Sequence, residues 1–172
     1  PEDNPMPAAD GRVDVPAWRH ALINYPHPLL QRGLVVLDTP GLNAIGAEPE
    51  LTLGLLPAAH AIVFVLGADT GVTRSDLAVW REHLGARALE RFVVLNKIDT
   101  LADPLASPAE VSRQIEQQRE QTARTLGVDV QRVYPLSARD ALAARLGGDV
   151  AGLLRSRLPD LESALSSELL PR

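Results

Sequence analysis

Leu34-Val35-Val36-Leu37-Asp38-Thr39-Pro40-Gly41 is a run of four apolar residues that ends in an aspartate, a threonine and a Pro-Gly turn. An unbroken apolar run bounded by turn residues fits a strand buried on both faces of a parallel sheet. Open α/β sheets take their ligands beyond the carboxyl ends of their strands, so Asp38 falls at a candidate site. Pro40 and Gly41 turn the chain sharply, and a glycine lets a ligand approach the backbone closely. A second apolar run, Phe92 to Leu95, ends in Asn96-Lys97-Ile98-Asp99. Two polar clusters in this order, each at a predicted strand end, point to one α/β domain with its chemistry on one edge.

The rest of the chain supports that architecture. Pro1 to Pro16 is rich in proline and charge and reads as a flexible lead segment, leaving 17–172 for the domain. Trp18 to Tyr25 reads as a strand despite poor alternation, and Leu29 to Gly33 as a helical turn. Glu48 to Leu56 suits a short helix, with Pro49 at its first position. Ala61 to Ala68 is the next buried strand. Thr73-Arg74-Ser75-Asp76 matches a capping box that opens a helix to Leu84, with Leu77, Trp80 and Leu84 on one face.

Ser107-Pro108-Ala109-Glu110 is the clearest helix start in the chain, and Gly127 is its stop. Val133 to Leu136 forms a last strand, Asp140 to Leu146 a helix that stops at Gly147-Gly148, and Pro159 begins a final helix. The strands at 34–39, 61–68, 92–97 and 133–136 should be parallel, with 61–68 beside 92–97 and 92–97 beside 133–136, and with helices on both faces.

Composition narrows the function. The chain has 172 residues and is 45% hydrophobic, enough for one domain with a real core. A net charge of −5 gives no support for nucleic-acid binding through a basic face. There is no cysteine, hence no disulfide framework and no thiolate metal site. No apolar stretch approaches the ~18 residues of a membrane span, so a cytoplasmic location with only peripheral membrane contact is expected. His20, His27, His60 and His83 are not at ligand spacing. Trp18 and Trp80 read as packing residues, and Arg74 as a solvated helix start.

Asp38-Thr39-Pro40-Gly41 resembles the DxxG motif of P-loop GTPases, and Asn96-Lys97-Ile98-Asp99 their guanine-reading NKxD motif. Ser137-Ala138 resembles their SAK/SAL loop, with Arg139 in the third place. The longer stretch YPHPLLQRGLVVLDTPGLN, from Tyr25 to Asn43, is similar to bacterial dynamin-like GTPases. Each motif has an ordinary alternative: a polar loop after a strand, a strand-to-turn corner, a strand-end cap. Their joint order and context favour the GTPase.

The resemblance implies a three-layer, mostly parallel P-loop NTPase-type sheet. It implies GTP or GDP with Mg2+ as cofactors. Asp38 would serve magnesium, and Asp38 with Gly41 the phosphate chemistry. Asn96, Lys97, Asp99, Ser137 and Ala138 would bind the base. Membrane remodelling through regions outside this chain and a homodimer across the nucleotide face are implied as well. Two alternatives stay open: a ribosome-assembly-type GTPase, and a non-hydrolysing pseudo-GTPase that acts as a binding module.

The guanine reading that the resemblance implies has a physical reason. Guanine presents N1–H and N2–H2 donors on one edge, and the Asp99 carboxylate accepts both; adenine lacks that pair. Asn96 would tie neighbouring loops together, and the alkyl stem of Lys97 would cover a ring face. No GxxxxGK[ST] stretch occurs in these residues. In the family that loop precedes DxxG, so the domain is expected to be incomplete here, lacking its phosphate-loop strand and inactive alone. The 34–39 strand is then expected either to stand one strand width away from 61–68 or to close onto it, the gap being favoured.

Overall fold

The computed structural model describes residues 21–39, 54, 56–84, 89–101 and 105–170. Among them a three-stranded parallel sheet runs in the order β1 (Ala61–Gly67), β2 (Glu90–Asn96), β3 (Val133–Pro135). Val63 sits opposite Phe92 and Gly67 opposite Asn96, and β3 aligns Val133 with Val93. Both expected pairings are present, and the expected strand limits hold to within about two residues.

β2 is central because its sequence is apolar on both faces. Val93 and Leu95 join one core with Leu66, Trp80, Leu84, Ile115 and Leu126. Phe92 and Val94 join the other with Leu136 and Leu161. The first core is covered by α2 (Arg74–Val79, continuing through Trp80–Leu84 as a π-turn) and α3 (Pro108–Leu126). The second is covered by α6 (Leu158–Leu169), whose Leu161, Leu165 and Leu169 turn inward as their four-residue spacing requires. Helices therefore lie on both faces of a parallel sheet.

α3 begins and ends as the sequence dictates. Ser107 Oγ accepts from Glu110 N, the Glu110 carboxylate returns to Ser107 N at 2.8 Å, and Gly127 closes the helix at φ 67. Ser107→Ala is expected to lower stability by about 1 kcal/mol, read as a shift in the urea midpoint at constant slope. Farther along, the Trp80 indole N–H donates to Leu126 O at 3.0 Å, giving a carbonyl at the end of α3 a buried partner. Arg119 reaches from α3 to Val133 O at 2.9 Å and fixes the entry to β3. Burial works to raise the Glu116 carboxyl, but hydrogen bonds from Arg157 and Arg119 outweigh it and hold it below the ordinary glutamate value.

The expected strand at 34–39 is not formed. Residues 34–39 have no regular secondary structure, and among the described residues they join no sheet and no backbone hydrogen bond links Val36 to β1. Val35, Val36 and Leu37 are 75%, 69% and 62% exposed. A strand exists only through lateral N–H···O=C partners, and among the described residues none pairs with this segment. The preceding turn, α1 (Pro28–Gln31), is anchored on α6 instead of the sheet: Arg32 donates to Ser166 Oγ at 2.7 Å and His27 lies 3.3 Å from Glu162.

The strand expected at 18–25 also fails in its described part. Residues 21–25 carry no strand, and Leu22 and Ile23 are exposed. The lead segment 1–16, Gly41 and most of the 48–56 helix lie outside the described residues. One helix was not anticipated: α5 (Val150–Arg155), which follows α4 (Ala138–Gly147). The Gly147-Gly148 stop is immediately followed by Asp149, whose carboxylate caps the new helix at Gly152 N.

Candidate functional site

β2 and β3 end side by side, and their exits build one cleft. Leu136 N donates to Leu95 O at 3.0 Å, and Ile98 N donates to Leu136 O at 3.3 Å, so the two exits are tied together. Ala68 N, leaving β1, donates to Asn96 O at 2.7 Å. Three successive strand ends thus hold the polar residues that follow them.

Asn96 is oriented by its neighbours. Its Oδ1 accepts from Lys97 N at 2.8 Å and from Ala138 N at 3.0 Å. Two N–H donors on one atom identify that atom as the oxygen and leave the amide NH2 to offer hydrogens elsewhere. Lys97 adopts φ 67, a left-handed conformation that a non-glycine residue holds only under local constraint. Thr100 supplies the constraint, donating both N–H (3.0 Å) and Oγ1 (2.7 Å) to Lys97 O. The Lys97 ammonium lies 3.6 Å from the Asp69 carboxylate, across solvent-exposed side chains, so this pair adds little stability.

Asp99 is the enclosed member. Its side chain is 8% exposed, and its Oδ1 accepts from Ser137 Oγ at 2.6 Å. Ser137 is itself buried and caps α4 by accepting from Asp140 N at 3.1 Å. One serine therefore both caps α4 and donates to the Asp99 carboxylate. On the open side Arg139 Nη2 stands 3.0 Å from Asp99 Oδ2. Asp69, Asn96, Lys97, Asp99, Thr100 and Arg139 line the resulting cleft.

The set has a definite polarity. Asp99 offers acceptors, and a short way off Asn96 offers an NH2 donor. A planar ligand that fits it carries paired N–H donors on one edge and acceptors beside them. Guanine has that pattern, through N1–H, N2–H2, O6 and N7; adenine does not.

Comparison with curated proteins finds relatives over most of the chain. A bacterial dynamin-like protein of Nostoc punctiforme is 30% identical over 162 residues, which is 87% of this chain and 23% of that protein. The chain belongs to the dynamin-like P-loop GTPases. A probable transmembrane GTPase, FZO-like and chloroplastic, of Arabidopsis thaliana is 36% identical over 123 residues, or 70% of this chain and 13% of the relative. The chain therefore spans less than a quarter of the length of either relative. Among solved structures, Era in complex with MgGDPNP and 16S ribosomal RNA superposes with a TM-score of 0.50 at 20% identity, covering 78% of this chain and 39% of Era; this likeness shows the fold. No family model matches the chain.

Of the residues expected in the dynamin-like site, the fold brings together Asn96, Lys97, Asp99, Ser137 and Ala138. Ala138 N–H is engaged by Asn96 Oδ1. Asp38 is exposed at the end of the 34–39 segment, and among the described residues no hydrogen bond or ion pair links it to the base cluster. Gly41 lies outside the described residues. Asp69 and Thr100 were not anticipated, although both follow strand ends in the sequence. Gly67, two residues before Asp69, has a signal of its own: a Cβ there would run into the Asp69 carboxylate. A second cleft, along Leu105 to Gln117, is an open groove on the surface of α3 with no comparable convergence of groups.

Proposed function

We propose that this chain supplies the base-reading half of a GTP-binding and GTP-hydrolysing domain in a dynamin-like, membrane-remodelling protein. The observation that carries the proposal is the convergence of Asn96, Asp99 and Ser137 at adjacent strand ends, with donor and acceptor sets complementary to guanine. Asn96 and Asp99 read the base edge, Ser137 holds the Asp99 carboxylate, Lys97 covers a ring face, and Ala138 closes the loop beside it.

The phosphate side rests on Asp38 and Gly41. A single carboxylate suits Mg2+, which keeps most of its waters and takes its remaining oxygens from phosphate. When bound, the ion would neutralise charge on the transferring phosphoryl group. The GxxxxGK[ST] loop that cradles those phosphates is not among these residues, so hydrolysis by the 172 residues alone is not expected. Among the described residues the outer edge of β1 has no strand partner, and this with the exposed Val63 and Val65 is compatible with a further strand and helix docking there in the working domain.

Membrane remodelling, a homodimer across the nucleotide face and a cytoplasmic, peripherally membrane-bound location belong to the same proposal. Among the described residues no helix is long and apolar enough to cross a membrane. The net charge of −5 gives no support for nucleic-acid binding through a basic face of these residues, and the Tyr25–Asn43 stretch favours the dynamin-like reading over a ribosome-assembly role. A non-hydrolysing binding module would keep the base cluster and lose the phosphate chemistry.

In the full-length protein, Asp38→Ala should lower GTP hydrolysis by about 10²-fold or more, since metal charge stabilisation is worth several kcal/mol. It should leave the preference for GDP over ADP intact. Turnover and labelled-nucleotide titration check both halves. A mutant that hydrolyses normally but has lost base discrimination would contradict the assignment of Asp38 to the phosphate side. Absence of hydrolysis in the unsubstituted full-length protein would favour the binding module.

A further inference from the structure

The carboxylate at the base of the cleft already has a partner. Asp99 Oδ1 takes the Ser137 hydroxyl, and Oδ2 takes the guanidinium of Arg139 at 3.0 Å. Guanidinium is a planar fork of N–H donors that suits carboxylates. The edge that guanine offers to a carboxylate is also a planar pair of N–H donors. The two are chemical equivalents, and they compete for the same acceptor.

The two partners of Asp99 differ in how firmly they are held. Ser137 is buried and fixed at the start of α4. The Arg139 side chain is 75% exposed and already places Nε 3.2 Å from Asp140 Oδ1. Its guanidinium can therefore leave Asp99 and remain paired on Asp140 and solvated. An exposed arginine held by such a pair is displaced at small cost.

We propose that Arg139 is a resident competitor for the guanine edge: it caps the Asp99 carboxylate in the nucleotide-free site and must swing aside before the base can enter. This rests on the guanine reading of the cleft and adds to it a control on nucleotide loading. The cap spares an enclosed carboxylate from standing unpaired, and it reduces the fraction of sites competent to bind.

The test is stopped-flow binding of fluorescently labelled GDP to the full-length protein and to its Arg139→Ala and Arg139→Gln variants. Removing the cap raises the competent fraction, so the association rate and affinity should rise about three- to ten-fold, with the dissociation rate unchanged. Arg139→Gln, which keeps length but loses charge, should behave likewise, and thermal stability should stay at the level of the unsubstituted protein. An unchanged association rate would show that Arg139 does not obstruct entry, and weaker binding through faster dissociation would show that it assists the bound base; either would overturn the proposal alone. Unsubstituted protein that binds GDP no more tightly than ADP would overturn the guanine reading, and the proposal with it.

Discussion

In the full-length protein, Asp99→Asn is expected to lower GTP affinity by roughly 10⁴-fold and to raise affinity for the xanthine nucleotide. The size follows from the enclosure of the side chain and the number of bonds that change sign. With Asp99, both oxygens accept. With asparagine, the Ser137 hydroxyl still donates to one position and so holds the amide oxygen there. The NH2 is then forced to the Oδ2 position, where it meets a donor of guanine head on. Xanthine places a carbonyl oxygen at that point and accepts instead. Competition titrations with guanine and xanthine nucleotides read the switch directly. A variant that kept its guanine preference would mean that Asp99 faces something other than the base.

Phe92→Ala should destabilise the folded protein by about 3–5 kcal/mol, near the lower end of the ~5–15 kcal/mol that a domain possesses. Phe92 is 0% exposed in the central strand and packs with Val94, Leu136 and Leu161 beneath α6. Its ring centroid lies 6.0 Å from that of Tyr134, and the Arg132 guanidinium carbon sits 5.7 Å from it. Truncation removes the transfer energy of the ring and leaves a cavity that two layers cannot both collapse into. Urea unfolding measures the loss, and a cost below about 1 kcal/mol would mean that α6 closes over the gap. Guanine selectivity of the molecules that remain folded should not change, because β2 delivers Asn96 from its far end.

These contrasts separate what a sequence makes legible from what it does not. β2 was readable because both of its faces are apolar, a signal that needs no knowledge of neighbours. The start of α3 was readable because Ser107 and Glu110 satisfy one another locally. The 34–39 segment carried the same apolar signal as β2, yet it forms no strand, because lateral pairing is a property of what lies beside it. The π-turn after α2 was hidden because Leu77, Trp80 and Leu84 face inward in an α-helix and in a wider turn alike. α5 was missed because Gly147-Gly148 reads as an end, while Asp149 restarts the helix at once.

At the site, Asn96, Lys97 and Asp99 were legible from their spacing after a strand. Ser137 reads in the sequence as a strand-end cap or as a site residue; in the fold it caps α4 and donates to Asp99. The pairing of Arg139 with Asp99 and of Asp69 with Lys97 joins residues far apart in the chain. Side-chain encounters of that kind depend on how two strand exits converge, which no local pattern encodes.

β1 pairs on one side only among the described residues, and Val63 and Val65 lie bare on its face. An edge with free backbone groups beside exposed valines is a template for any other extended chain. In a concentrated preparation of these residues, colloidal behaviour would be governed by this strip more than by the net charge. The same property that leaves room for a neighbour within the domain thus sets a limit on concentration when the neighbour is not supplied.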